Sequence, residues 1–214
     1  MLKIWGRKTS INVQKVMWAV GELGLPYERV DVGGPFGGLD SPEYRKLNPN
    51  RLVPVIEDDG FVLWESDAIV RYLAAAHDQG RLMPADARQR ALADQWMTWT
   101  GSALYADIIV TIFLGLIRTP AAERNVAAIE AAAKRAGERL GILDAQLAGR
   151  SYILGDQLTV ADIGCGTLMY RYFTLDIPRP RLGNVEAWYQ RLTERKAYQD
   201  HVMLDYAAMK VPGA

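Results

Sequence analysis

The stretch from Asn48 to Asp67, NPNRLVPVIEDDGFVLWESD, gathers residues whose types and order suit ligand chemistry. Val53-Pro54-Val55-Ile56 and Phe61-Val62-Leu63-Trp64 are short β-prone runs, and Asp58-Asp59-Gly60 between them is a turn signal that folds the second run back antiparallel. Pro54 opens the first strand, where a missing amide donor is tolerated, and leaves the Val53 main chain to pair with something other than a strand. A peptide-like ligand answers that description. After Trp64 come Glu65-Ser66-Asp67 and apolar positions 69, 70, 73 and 76 at helical spacing, so a helix starts near Ser66. Free amides and a positive dipole end at that point form a site for a carboxylate. The alternative is that Ser66 simply caps its own helix while Glu65 is a solvated strand end.

The elements around this stretch form a small α/β unit. Leu2-Lys3-Ile4-Trp5 alternates as a strand, Gly6 to Ser10 is polar loop, and Val13, Val16, Met17, Val20 and Leu23 mark one helix face. Gly24 and Pro26 stop that helix, and Tyr27 to Val32 alternates again, completing a β-α-β unit with parallel strands. Gly33 to Gly38 lacks the spacing of a dinucleotide or phosphate-loop fingerprint and reads as a flexible connection. Ser41-Pro42 starts a short helix, so the first 80 residues read β-α-β-α-β-β-α. Gly80 to Ala87, GRLMPADA, is a linker, giving an expected α/β domain over 1–79, a linker over 80–87 and an all-helical domain over 88–214.

The second domain opens with a long helix from about Ala87 to Leu116, and Thr119-Pro120 caps and opens the next, striped by Val126, Ile129, Ala133, Ala136, Leu140, Leu143 and Leu147. Leu158-Thr159-Val160-Ala161-Asp162-Ile163 is a helix-start signature in which Asp162 answers the Thr159 amide, a structural role rather than a catalytic one. A further helix begins near Asn184, and the tail from Val211 is expected to be loose.

Composition narrows the function classes. Lys plus Arg and Asp plus Glu are 25 each, so no net field attracts nucleic acid or an anionic membrane. Cys165 is the one cysteine, and with His77 and His201 it makes no metal-ligand spacing; no metal and no resident cofactor are expected. The amino terminus lacks an apolar signal core and no run approaches about 18 apolar residues, so a soluble, cytoplasmic protein is expected.

The α/β domain, the Val-Pro at a strand start, the Glu-Ser at a helix start and the Leu-Thr-x-Ala-Asp-Ile box, in this order, resemble the soluble glutathione S-transferases over nearly the whole chain. The matching pieces are Ser10-Ile11-Asn12-Val13, Asn48-Pro49 ahead of Val53-Pro54, Glu65-Ser66 with Ala68-Ile69 and Tyr72-Leu73, and Leu158 to Ile163. The resemblance implies a thioredoxin-like amino-terminal domain and an all-α carboxy-terminal domain. It implies a cis Pro54, with Val53 pairing to the cysteinyl unit of glutathione, and Glu65 and Ser66 holding the ammonium and carboxylate of the γ-glutamyl end. Glutathione is then a co-substrate, a small hydrophobic electrophile the second substrate, and a homodimer the assembly.

Ser10, in S-x-N, is similar to the serine-type phi and theta classes; no tyrosine lies near the end of the first strand and no cysteine near residue 10. A hydroxyl is too weak a base to remove the thiol proton, but as a donor at a helix amino end it stabilises the thiolate. A free thiol has a pKa of about 8.5. Lowering it by about two units takes roughly 2.7 kcal/mol, the size of one charge-assisted hydrogen bond plus a helix dipole. Asn12 supports the site through its amide, Thr9 is a competing hydroxyl, and the plain alternative for Ser10 is an N-cap.

The segment Asn50-Arg51-Leu52 departs from the family pattern at the place that helps hold the glycyl carboxylate. Arg51 does that work or is a solvated surface arginine. Tyr105, Ile109 and Phe113 share one helix face and line the second-substrate pocket, or belong to a core stripe. The implied activity is conjugation, as in detoxification. The rivals are glutathione-dependent peroxidase or reductase chemistry and a non-catalytic transferase-like binding module.

Overall fold

The structure is a computed structural model that describes residues 1–78 and 80–213. The expected domain limits at 79 and 214 therefore lie outside the described residues. Strands β1 (Leu2–Trp5), β2 (Tyr27–Val30), β3 (Val55–Asp58) and β4 (Phe61–Trp64) form one sheet in the order β2-β1-β3-β4. β1 and β2 are parallel across the helix α1 (Ile11–Leu23), as the β-α-β reading requires, while β3 runs antiparallel to both β1 and β4. Asp59 and Gly60 both take positive φ in the β3-β4 turn, a conformation that glycine and aspartate tolerate.

Helix α1 and helix α3 (Ser66–His77) pack together beside this sheet, and Ile4, Ile56, Val13, Val16, Val20, Ile69, Val70 and Leu73 share one buried cluster. The short helix α2 (Pro42–Leu47) is capped by Ser41, whose side chain accepts from the Tyr44 amide at 3.1 Å. The Gly-rich connection carries a 3-10 turn, Gly34–Phe36.

The second domain is helical throughout. Helix α4 (Ala87–Trp99) continues through π-helical turns at Thr100–Leu104 and Ala106–Phe113 into α5 (Leu114–Ile117), one continuous helix of 31 residues. An 18-residue window of this helix has a mean hydropathy of 1.8, enough by length and composition to cross a membrane. The stretch is no unbroken apolar run, since Asp107 and scattered hydroxyls interrupt it, in keeping with the expectation, and its high mean comes from the isoleucines and leucines between them. The helix is nevertheless a core helix: 44% of that window is buried, and Asp107 is held by Arg135 and Arg139 of α6 (Val126–Leu147).

Helix α6 starts later than Thr119-Pro120 suggests. Those residues lead only into a 3-10 turn at Ala121–Glu123, and the cap is Asn125, whose side chain accepts from the Ala128 amide at 3.0 Å. Helices α7 (Val160–Thr174), α8 (Gly183–Thr193) and α9 (Lys196–His201) complete the domain.

The two domains share one core. α1 contacts α7 and α9 as well as α3, and Trp18 of α1 is fully buried with its ring edge-on to Tyr198 at 4.7 Å. A Cβ at Gly166 of α7 would stand 2.9 Å from the Trp18 ring and 2.6 Å from Leu192, so only glycine permits this approach. The expected linker is welded in: Leu82 and Met83 are buried, and the Val160 amide donates to the Leu82 carbonyl at 3.0 Å. The tail is also pinned rather than loose, because Val211 N donates to Ile117 O at 3.1 Å and Ala121 N to Gly213 O at 2.7 Å.

Candidate active site

The site is built where the loop after β1 meets the amino ends of α1 and α3. Ser10 occupies the cap position of α1 with φ −76 and ψ 126, yet its side chain makes no cap hydrogen bond. Its backbone is fixed, with its amide donating to Arg7 O at 3.1 Å and its carbonyl accepting from Gln14 N at 2.9 Å. The half-buried hydroxyl is thus presented at a helix amino end without being consumed by that helix. Two buried side chains hold the loop. Gln14 Nε2 donates to Lys8 O at 3.1 Å, and Arg171 Nη2, from α7 of the other domain, donates to Thr9 O at 2.8 Å.

Asn12 faces α3. Its Oδ1 accepts from Ser66 Oγ at 3.4 Å, and Lys15 Nζ donates to Ser66 Oγ at 3.4 Å and to Asp67 Oδ1 at 2.7 Å. Ser66 is not the N-cap expected from its position: it is the first residue of α3, and Glu65 takes the cap position with φ 74 and ψ 112. Its hydroxyl is drawn sideways to Asn12 and Lys15 instead of back to its own helix. An exposed glutamate at positive φ is a strained conformation of the kind that clusters at ligand clamps.

Val53-Pro54 is a cis peptide bond. Leu52 O accepts from Tyr44 Oη at 2.7 Å and Asn48 Nδ2 at 2.9 Å, which pins the segment from the α2 side. Among the described residues nothing hydrogen-bonds to the Val53 main chain. The segment also reaches the Ser10 loop, since a Cβ at Gly6 would stand 3.3 Å from Val53 Cβ. Arg51 adopts φ 57 and donates to Asp40 Oδ1 at 3.0 Å on the surface. Hydrogen bonds from Arg51 and then Arg45 hold the Asp40 carboxyl below its ordinary range.

The three residues expected to line a second-substrate pocket fare differently. Tyr105 is half-buried, but Ile109 is 3% exposed and Phe113 has no exposed surface. The spacing of four carries them onto the face packed against α6 and α7. Phe113 lies beneath the Arg171 guanidinium, 4.0 Å from the ring centroid, and edge-on to Tyr206 at 5.1 Å. Tyr105 alone keeps a solvent-facing position.

Cys165 lies inside α7, 2.7 Å from Thr100 Oγ1, and burial pushes its thiol up to about 12. It is no thiolate at neutral pH. Among the described residues no three His, Cys, Asp or Glu side chains gather as a metal site.

Lys15, Asp67 and Arg171 belong to the site and escape a motif reading. Lys15 is the signal in plain view, the only basic residue in INVQKVMWAVGEL and 5% exposed on a helix buried on every side. Lys15→Met leaves the Asp67 carboxylate unpaired at low exposure. It should cost about 2 kcal/mol in urea unfolding, a partly buried pair falling below the range for fully buried ones. An unchanged midpoint contradicts that account.

The sequence and the fold have known counterparts. The family model described as "Glutathione S-transferase, N-terminal domain" matches residues 9–76, and that described as "Glutathione S-transferase, C-terminal domain" matches residues 105–196. Glutathione S-transferase GstB of Escherichia coli strain K12 is 42% identical over 209 residues, covering 95% of this chain and 99% of its own. A crystal structure of a theta class glutathione S-transferase from Xanthomonas axonopodis pv. citri, with glutathione bound, superposes with a TM-score of 0.89 at 46% identity, covering 95% of this chain and 98% of its own. The Bombyx mori glutathione transferase BmGSTD1 superposes with a TM-score of 0.85 at 27% identity, covering 97% and 95%. With a thioredoxin-like domain carrying the Ser10, Val53 and Ser66 constellation and a helical domain closing over it, the chain belongs to the soluble glutathione S-transferases.

Proposed function

We propose that the enzyme conjugates glutathione to small hydrophobic electrophiles and that the Ser10 hydroxyl stabilises the attacking thiolate. The observation that carries this reading is the Ser10 hydroxyl standing at the amino end of α1 with no cap bond of its own. Glutathione lies extended along Val53, whose free main chain pairs with the cysteinyl unit and directs its sulfur to Ser10. Ser66 and the unpaired amides of the first turn of α3 take the γ-glutamyl carboxylate, Glu65 takes the ammonium, and Asn12 links this end to the Ser10 helix. Arg51 takes the glycyl carboxylate, exchanging Asp40 for the ligand. Tyr105 bounds the second-substrate side, while Ile109 and Phe113 belong to the core behind it.

The glutathione domain is 1–79, the connection 80–87 and the helical domain 88–214. The protein acts in the cytoplasm in detoxification, as a homodimer. The exposed Phe61 and Trp64 on the edge strand β4 support the last point, as apolar surface that a second copy would cover.

The test is Ser66→Ala, assayed by glutathione conjugation and by calorimetric titration. Loss of one hydrogen bond to a charged group predicts about a tenfold weaker glutathione affinity, with kcat largely retained. A variant with parent affinity would remove the γ-glutamyl end from α3, and a parent that does not bind glutathione would end the reading.

A further inference from the structure

The arginines gathered around the Ser10 loop carry more positive charge than a neutral electrophile requires. Arg171 is 4% exposed, and its polar contact is the Thr9 carbonyl at 2.8 Å, with the Phe113 ring below it. Arg7, two residues beyond β1, lies along the Gly33-Gly34 backbone. A Cβ at Gly33 would stand 3.0 Å from Arg7 Nη1, and one at Gly34 3.1 Å from Cδ and Nε. The Gly-rich stretch, which reads from sequence as a flexible connection, is thus a bed for this side chain.

Arg118 closes α5 nearby, and among the described residues none of the three arginines forms an ion pair with a carboxylate. Burial pushes Arg171 down to about 10, the neighbouring Tyr105 and Tyr206 oppose this, and the charge of Arg7 adds to it. Arg7 is pushed down by burial and then by Arg118. Buried guanidinium groups are ordinarily paired, and like charges gathered without a counter-ion destabilise one another. A planar fork of donors in this state is complementary to a carboxylate.

We propose that the second substrate carries a carboxylate on its small apolar body and that Arg7 and Arg171 hold that group beside the glutathione sulfur. This rests on the proposed reading of the Tyr105 side of the Ser10 loop as the electrophile site. The apolar body of the substrate lies toward Tyr105 and Tyr206. In the transfer to an aryl halide of this kind, a sulfur lone pair forms the new S–C bond. The halide leaves with the electrons of the carbon–halogen bond, and the thiol proton passes to solvent.

Arg171 also positions the Ser10 loop, so the test uses Arg7. The probes are two glutathione conjugates, S-(4-carboxy-2-nitrophenyl)glutathione and its carboxamide counterpart, titrated into the full-length protein by calorimetry at one fixed salt concentration, with glutathione alone titrated beside them. The parent should bind the carboxylate about tenfold more tightly than the carboxamide, the factor expected of one charge-assisted contact. Arg7→Gln should bring the two to near parity, and Arg7→Lys should keep part of the preference.

A parent that binds glutathione but does not distinguish the two conjugates overturns the proposal and leaves the transferase reading intact. An Arg7→Gln that weakens glutathione and both conjugates by one factor also overturns it, because Arg7 then serves a carboxylate of glutathione itself. Failure of the parent to bind glutathione removes both the transferase reading and the proposal.

Discussion

Ser10→Ala should lower kcat/KM for conjugation about 30-fold at neutral pH, the equivalent of roughly 2 kcal/mol, while leaving glutathione affinity close to that of the parent. The free thiol ionises near 8.5, so only a few per cent is thiolate at pH 7. The Ser10 hydroxyl, unspent as a cap, supplies one charge-assisted hydrogen bond to the sulfur, and the α1 dipole supplies the remainder. Removing the hydroxyl removes the first contribution and keeps the second. The difference between parent and variant should shrink as the pH approaches 9, where the thiol ionises without help. A variant as active as the parent at pH 7 would move the role to Thr9 or Asn12. Thr9 is the first of these to replace, because the Asn12 amide is already engaged by Ser66.

Asp162→Asn should cost about 3 to 5 kcal/mol of stability, a large part of the 5 to 15 kcal/mol available to a domain. The carboxylate is fully buried and receives four donors: Ile153 N at 2.9 Å, Thr159 N at 2.9 Å, Thr159 Oγ1 at 3.1 Å and Trp188 Nε1 at 3.0 Å. Asparagine matches the shape but turns an amide donor toward two of those donors, leaving buried hydrogens facing one another. The side chain therefore ties the start of α7 to α8 and to the preceding loop, the structural role read from its place in the helix-start box.

The pH dependence of this site follows from its burial. Desolvation raises the Asp162 carboxyl to about 6, against the pull of its four donors, from an ordinary 3.8. An acid whose folded pKa is raised holds its proton better in the fold. Its contribution is fully present below the unfolded pKa near 4 and is lost as the pH rises through about 6. Urea unfolding of parent and Asp162→Asn should therefore differ more at pH 4.5 than at pH 7. An equal difference at both would mean that the four donors cancel the burial penalty.

Much of the architecture was legible because it rests on short-range patterns. Alternation located β1 and β2, β-prone runs about the Asp58-Asp59-Gly60 turn placed the β3-β4 hairpin, and helical spacing located α1, α3, the long helix and α6. What local pattern does not encode was missed. The π-helical turns leave the apolar spacing of the long helix intact, and Asn125 competes with Thr119 as a cap on equal local terms. The pinning of the tail to Ile117 depends on a contact nearly a hundred residues away in sequence.

The site divides in the same way. Ser10, Val53, Glu65 and Ser66 sit in recognisable short strings, whereas the cis geometry at Pro54 came only with the family resemblance. Glu65 at positive φ has no signature in its residue type. Arg171 reaches Thr9 across 162 positions, so no window of sequence contains both. Lys15 was missed although it is the one basic residue of α1, and its partner Asp67 has no signature because a first-turn aspartate on α3 reads equally well as helix-dipole compensation.

The central claim is that this fold lowers the pKa of a bound thiol through Ser10. The direct measurement is the ultraviolet thiolate absorbance of enzyme-bound glutathione as a function of pH, on the parent and on Ser10→Ala. The account predicts an apparent pKa of about 6.5 in the parent, roughly two units below the free thiol, and a return of more than one unit toward 8.5 in the variant. A parent value near 8.5, or the same lowered value in both proteins, would contradict it.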